Sequence, residues 1–214
     1  FRRVTGNIVF PGFTAPKLIE KTGAGLFRIY VGPRFDYVAP VLSPHRFERV
    51  AHCTPVDILR LTHYRYVLEH PRLATIVLTV YPARDYGDGC DDINLSRADI
   101  RDSLDDEFRQ MFALSEFLLG AYGHLAKTVI LANTEADNRM LEIMRHTGSS
   151  ELAIRNTIAW QNTRFRAVDQ ARRRHPGARL KLLNAFEIAL VNLAIDRQGH
   201  RFVKSSRGRW NALR

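Results

Sequence analysis

Alternation is the feature that most narrows what this chain can fold into. Short runs rich in β-branched and aromatic residues recur along it: GNIVF (6–10), LFRIYVGPR (26–34), ATIVLTVYP (74–82), TVILANTEAD (128–137) and ARLKLLNAFEI (178–188). Glycine and proline punctuate several of them, as strand ends require. Most of the gaps between them carry helical signals. Residues 15–25 read as a short helix ended by glycine. Thr54 and Pro55 are an N-cap and a first-turn proline for a helix over 54–70. Amphipathic stretches follow at about 103–123, 138–146 and 150–175, the last stopped by Pro176-Gly177. Residues 206–214 read as the start of one more helix.

Strands separated by helices of this length pair in parallel through right-handed crossovers. Two architectures satisfy that pattern, an open doubly wound sheet and a closed (β/α)8 barrel. A nucleotide-binding doubly wound sheet needs a phosphate loop after its first strand, and neither GxGxxG nor GxxxxGK[ST] is present. The expected fold is therefore α/β of the (β/α)8 TIM-barrel type, incomplete at about five β/α units, in a single partial domain over 1–214. The five strands should be parallel neighbours in chain order, with no reversal. The chain opens at Phe1 rather than Met and closes on WNALR, which is the expectation for a fragment.

Composition removes some function classes. No stretch of the chain holds the ~20 apolar residues of a membrane span, and no signal peptide is visible. Cys53 and Cys90 lack CxxC spacing, and the 8 histidines lack a ligand spacing such as HExxH, so neither a metal nor a cofactor is expected. The net charge is +10 and nearly all arginine. Its clusters are Arg172–His175 and the segment from Arg197 to Arg214. A polyanion-binding module is one reading of that charge. No stacking-aromatic motif accompanies it, so nucleic acid is not the expected partner.

Ligands of parallel α/β folds bind at the carboxyl ends of the strands. The residues there are Arg28, Tyr30 and Arg34, then Thr79, Tyr81, Arg84 and Asp85, then Asn133, Glu135, Asp137 and Asn138, then Asn184 and Glu187. The run VILANTEADN (129–138) shows the switch most sharply, because an apolar half turns abruptly into acids and amides. With side chains alternating along a strand, Val129 and Leu131 pointing into a barrel would carry Asn133 and Glu135 upward on the same side. Leu183, Ala185 and Glu187 are expected to do likewise, which would bring two glutamates to one mouth. The plainer alternative makes both carboxylates exposed partners of Arg84 or Arg139, where ion pairs are worth little. Trp160, Arg164 and Val168 share a helical face, and a tryptophan so spaced is more often core than a sugar platform.

The segments LFRIYVGP, ATIVLTVYP, KTVILANTEADN and ARLKLLNAFEIALV together resemble the catalytic (β/α)8 barrel of glycoside hydrolases. The closer likeness is to uncharacterised bacterial members of that superfamily with Asn-x-Glu-x-Asp at the end of the fourth strand. They carry a similar following helix, here Trp160, Arg164, Val168, Ala171 and Arg172. The resemblance covers most of residues 6–192. It implies a hydrolase of O-glycosyl bonds whose acid/base glutamate ends the fourth strand, which here is Glu135. Glu187 is the candidate second carboxylate, the alternatives for it being to hydrogen-bond a sugar or to orient Glu135. Asn133, Asp137, Tyr81, Tyr30, Arg28 and Asn184 are the candidate carbohydrate-binding residues. The alternatives are a non-catalytic saccharide-binding barrel and the basic polyanion-binding module.

Overall fold

The computed structural model describes residues 19–31, 54–60, 62–81, 95–133 and 136–187. Four strands form one sheet: β1 (Leu26–Val31), β2 (Thr75–Val80), β3 (Thr128–Ala132) and β4 (Lys181–Ala185). They are parallel and lie in chain order, β1-β2-β3-β4, without a reversal. The first expected strand, 6–10, lies outside the described residues, as does the helix expected from 206. The sheet does not close into a barrel among the described residues.

Five helices are described in full: α1 (Pro55–Leu59), α2 (Thr62–Glu69), α3 (Arg101–Tyr122), α4 (Ala136–Thr147) and α5 (Ser150–Arg174). Before β1, residues 19–22 end a helix at Gly23, whose φ of +63° is the left-handed conformation that suits glycine. Thr54 and Asp57 form a reciprocal capping box at the start of α1. Ser149 caps α5 by accepting the Leu152 N–H at 3.1 Å.

The single helix expected over 54–70 is instead two. Ile58 and Leu59 on α1, and Val67 and Leu68 on α2, all enter one core. Each pair is offset by nine residues, about two and a half turns of a continuous helix, which would put them on opposite sides. The break after Leu59 lets both pairs face the sheet. Lys127, just before β3, closes the end of α2 by donating to the carbonyls of Leu68 (2.9 Å) and His70 (2.6 Å).

The two faces of the sheet differ. Phe27, Ile29, Ile76, Leu78, Val129, Leu131 and Leu182 are buried in one cluster with residues of α1, α2, α3 and α5. A second cluster joins Ile143 of α4 to Ala153 and Trp160 of α5. Trp160 is thus core. The opposite face carries half-buried Arg28, Tyr30, Val77 and Ile130, with Leu26 and Leu183 exposed. Doubly wound sheets cover both faces with helices. Here the described helices pack on one.

Arg28 on β1 makes a bidentate ion pair with Glu187, two residues beyond β4, on the side of that less covered face. The Glu187 backbone is held toward β3 and α4, its N–H donating to Asn133 and its carbonyl accepting the Ala136 N–H, and two long side chains bridge the rest of the width to β1.

Candidate functional site

The site is built around that ion pair. Arg28 donates from Nη1 to Glu187 Oε1 (3.1 Å), from Nη2 to Oε2 (2.6 Å) and from Nε to Thr79 Oγ1 (2.8 Å). The planar guanidinium suits this, offering a fixed fork to the carboxylate and a third donor sideways. Burial lowers the Arg28 pKa, but the hydrogen bonds and charge of Glu187 outweigh it and leave the group above its usual value. Tyr30 and Tyr81, from adjacent strands, have ring centroids 6.2 Å apart at 38°. The Arg28 guanidinium carbon lies 5.5 Å from the Tyr30 ring centre. Behind the strand, Tyr64 donates its hydroxyl to the Tyr30 carbonyl at 2.6 Å, and burial pushes that phenol upward.

Glu187 is fastened through its main chain as well. Its N–H donates to Asn133 Oδ1 at 2.9 Å, and its carbonyl accepts the Ala136 N–H at 3.0 Å. Asn133 follows β3 directly and is fully buried. Ala136 opens α4, so its N–H is one of the donors a helix start leaves unpaired within the helix. Asp137, also buried, sits in the same first turn and accepts the Asn138 N–H at 3.0 Å. A carboxylate there complements the helix dipole.

Six expected residues therefore lie close together: Tyr30, Tyr81, Asn133, Asp137 and Glu187 at or just past the strand ends, and Arg28, which sits in the middle of β1 and reaches Glu187 with its side chain. Glu135, Arg84 and Asp85 lie outside the described residues. Three expectations are corrected. Asn184 is in register with Leu131 and so faces the helices, where both its amide atoms are buried without a hydrogen bond. Val129 and Leu131 also face the helices, so Glu187, which follows the alternation of Leu183 and Ala185, does not share their side. Glu187 pairs with Arg28, while Arg139 pairs with Glu142 at 3.4 Å.

One polar cluster was not expected. Arg164 of α5 and Glu107 of α3 form an ion pair at 2.9 Å between side chains 0% and 2% exposed. Its signal in the sequence was an arginine on the same helical face as Trp160 and Val168, and a glutamate one turn before Met111. Away from the strand ends, a groove of about 520 Å³ is lined partly by Arg172, Arg173, His175 and Lys181. It sits beside the first residues of β4, at the other end of that strand from Glu187. Among the described residues no helix is long and apolar enough to cross a membrane, and no three His, Cys, Asp or Glu side chains are grouped to hold a metal. No protein-family model, curated protein or solved structure matches the chain.

Proposed function

We propose that this chain belongs to a glycoside-hydrolase-like (β/α)8 barrel that binds a carbohydrate over the strand ends and cleaves a glycosidic bond there. The observation that carries the reading is Glu187. Its carboxylate is clamped by Arg28 of β1, and its main chain is tied to Asn133 and Ala136. Those two residues flank the segment that contains Glu135. Ordered strands with helices packed on one face are also what a segment of such a barrel requires.

The chemistry needs one carboxyl to protonate the leaving oxygen and another to meet the oxocarbenium-like transition state. Glu135 takes the first role. Glu187 takes the second, because a carboxylate fixed by two charge-assisted hydrogen bonds is oriented before substrate arrives. Tyr30 and Tyr81 offer aromatic faces and hydroxyls to a sugar ring. Asn133 and Asp137 are buried and support the site from behind.

The test is turnover of a panel of aryl glycosides by the full chain and two variants. Glu135→Gln is expected to lower kcat at least ~10²-fold, the usual scale of a lost general acid, and to leave the melting temperature nearly unchanged. Glu187→Gln is expected to lower it comparably. Saccharide binding without turnover in the parent chain would favour the non-catalytic barrel. Full turnover in Glu135→Gln would remove Glu135 from the chemistry. The basic groove beside β4 supports a polyanion-binding reading, but Asp169 pairs with Arg173 and partly neutralises it. Heparin retention that drops on Arg172→Ala would favour that reading.

A further inference from the structure

We propose that Arg164 is a positioning residue for the strand-end site, setting the ends of β2 and β3 from the helix side of the sheet with Glu107 as its anchor. The proposal rests on the site being functional, but not on which ligand fills it. Arg164 is fully buried. Its Nη1 donates to Glu107 Oε1 (2.9 Å) and to the Val80 carbonyl (3.4 Å), and its Nη2 donates to the Ala132 carbonyl (3.3 Å). Val80 and Ala132 are the last residues of β2 and β3. The residues that follow them are Tyr81 and Asn133, both in the site. The pairing of these two strands ends at Thr79 and Ala132. One guanidinium therefore links the strands where their own ladder stops.

From there the contacts run forward. Asn133 Oδ1 holds the Glu187 N–H, Glu187 holds Arg28, and Arg28 holds Thr79 on β2. The result is a closed ring of contacts that passes through the sheet from the α3–α5 interface to the less covered face. Stability alone does not call for an ion pair at that interface, since well-packed apolar residues of similar volume usually serve as well or better. What apolar residues cannot do is address two carbonyls and a carboxylate from one plane. Lysine cannot reproduce that fork either. The Trp160 ring, with its centre 5.5 Å from the guanidinium carbon, backs the plane.

The test needs no ligand. Amide and side-chain hydrogen exchange is followed by NMR in the full chain and two variants. The double variant Arg164→Met with Glu107→Leu replaces the pair by apolar groups of similar size. Arg164→Lys keeps the charge and loses the fork. Both are expected to fold, and the Glu187 amide and the Arg28 Nε–H are expected to exchange at least about tenfold faster, as a local opening would give. The amides of Ile29 and Leu78 at the strand centres should keep their parent rates. Should the double variant not fold, Arg164→Lys alone decides. Unchanged exchange at Glu187 and Arg28 in a folded variant would overturn the proposal. So would acceleration of all four probes together, which is the mark of a merely structural residue. Loss of glycoside turnover plays no part in this readout, so the carbohydrate reading and the positioning role can fail separately.

Discussion

Arg28 carries the site, and its value lies in the fork. Arg28→Lys keeps a cation near Glu187 but cannot hold both carboxylate oxygens and Thr79 at once. The pair is about a third and a fifth exposed, at 32% and 21%, so solvent screening limits its worth. The expected loss is about 1 kcal/mol, scaled down from a buried charged hydrogen bond, and urea unfolding measures it. His70 gives a pH test. Its pKa is held below the usual 6.5, first by burial and then by the charge of Lys127. The neutral ring accepts the Arg72 N–H at Nδ1, 3.3 Å away, and protonation would abolish that acceptor. The unfolded chain takes up the proton more readily, so stability is full above about pH 6.5 and falls as pH drops below it. His70→Gln should show a smaller fall in melting temperature between about pH 7.5 and 5. Equal slopes would mean His70 plays no part. That Tyr30, Tyr81, Asn133 and Glu187 lie at or just past the strand ends was legible in the sequence, because punctuation located where strands stop, whereas Arg28 sits in the middle of β1. Their relative sides were not. Alternation fixes sides within a strand, whereas the match of Leu131 to Asn184 is a matter of register between strands.

Among the elements, α5 does most to connect core and site. It packs its apolar stripe on the sheet and places Arg164 at the strand ends. Removing one member of the Arg164–Glu107 pair leaves a buried charge without its partner. Arg164→Met alone is expected to cost about 3–5 kcal/mol, and the double replacement with Glu107→Leu much less. Chemical denaturation of the two single and one double variants would measure the coupling. Additive losses would contradict a direct pair. The helices over 101–122, 136–147 and 150–174 fall within a residue or two of their expected ranges. Their caps and periodicity are local, and so readable. The break between α1 and α2 was not, because it answers to where the sheet lies. The buried pair escaped for a similar reason, since a helical wheel shows that Arg164 is on an inner face but not which carbonyls it meets.

At the scale of the whole molecule, the defining contact is the bridge from β1 to the residue after β4. Parallel order followed from alternation, whereas one-sided helices did not, because alternation fits a doubly wound sheet equally well. The bridge was not legible either, because it joins residues 159 apart in the chain. The less covered face exposes Leu26 at 53% and Leu183 at 42%. Exposed apolar strand residues favour association. Sedimentation should show concentration-dependent association that Leu183→Lys reduces, and identical behaviour of the two would place the contact elsewhere. On the proposed reading a saccharide binds over the strand ends, around the Arg28–Glu187 pair. Titration of the full chain with mono- and oligosaccharides, with NMR following the Arg28 Nε–H and the amides of Tyr81, Asn133 and Glu187, tests this. Saturable shifts concentrated on those four signals are expected, with loss of the three amide shifts in Arg28→Met. Shifts confined to Arg172, Arg173 and Lys181, or none with any saccharide, would contradict it.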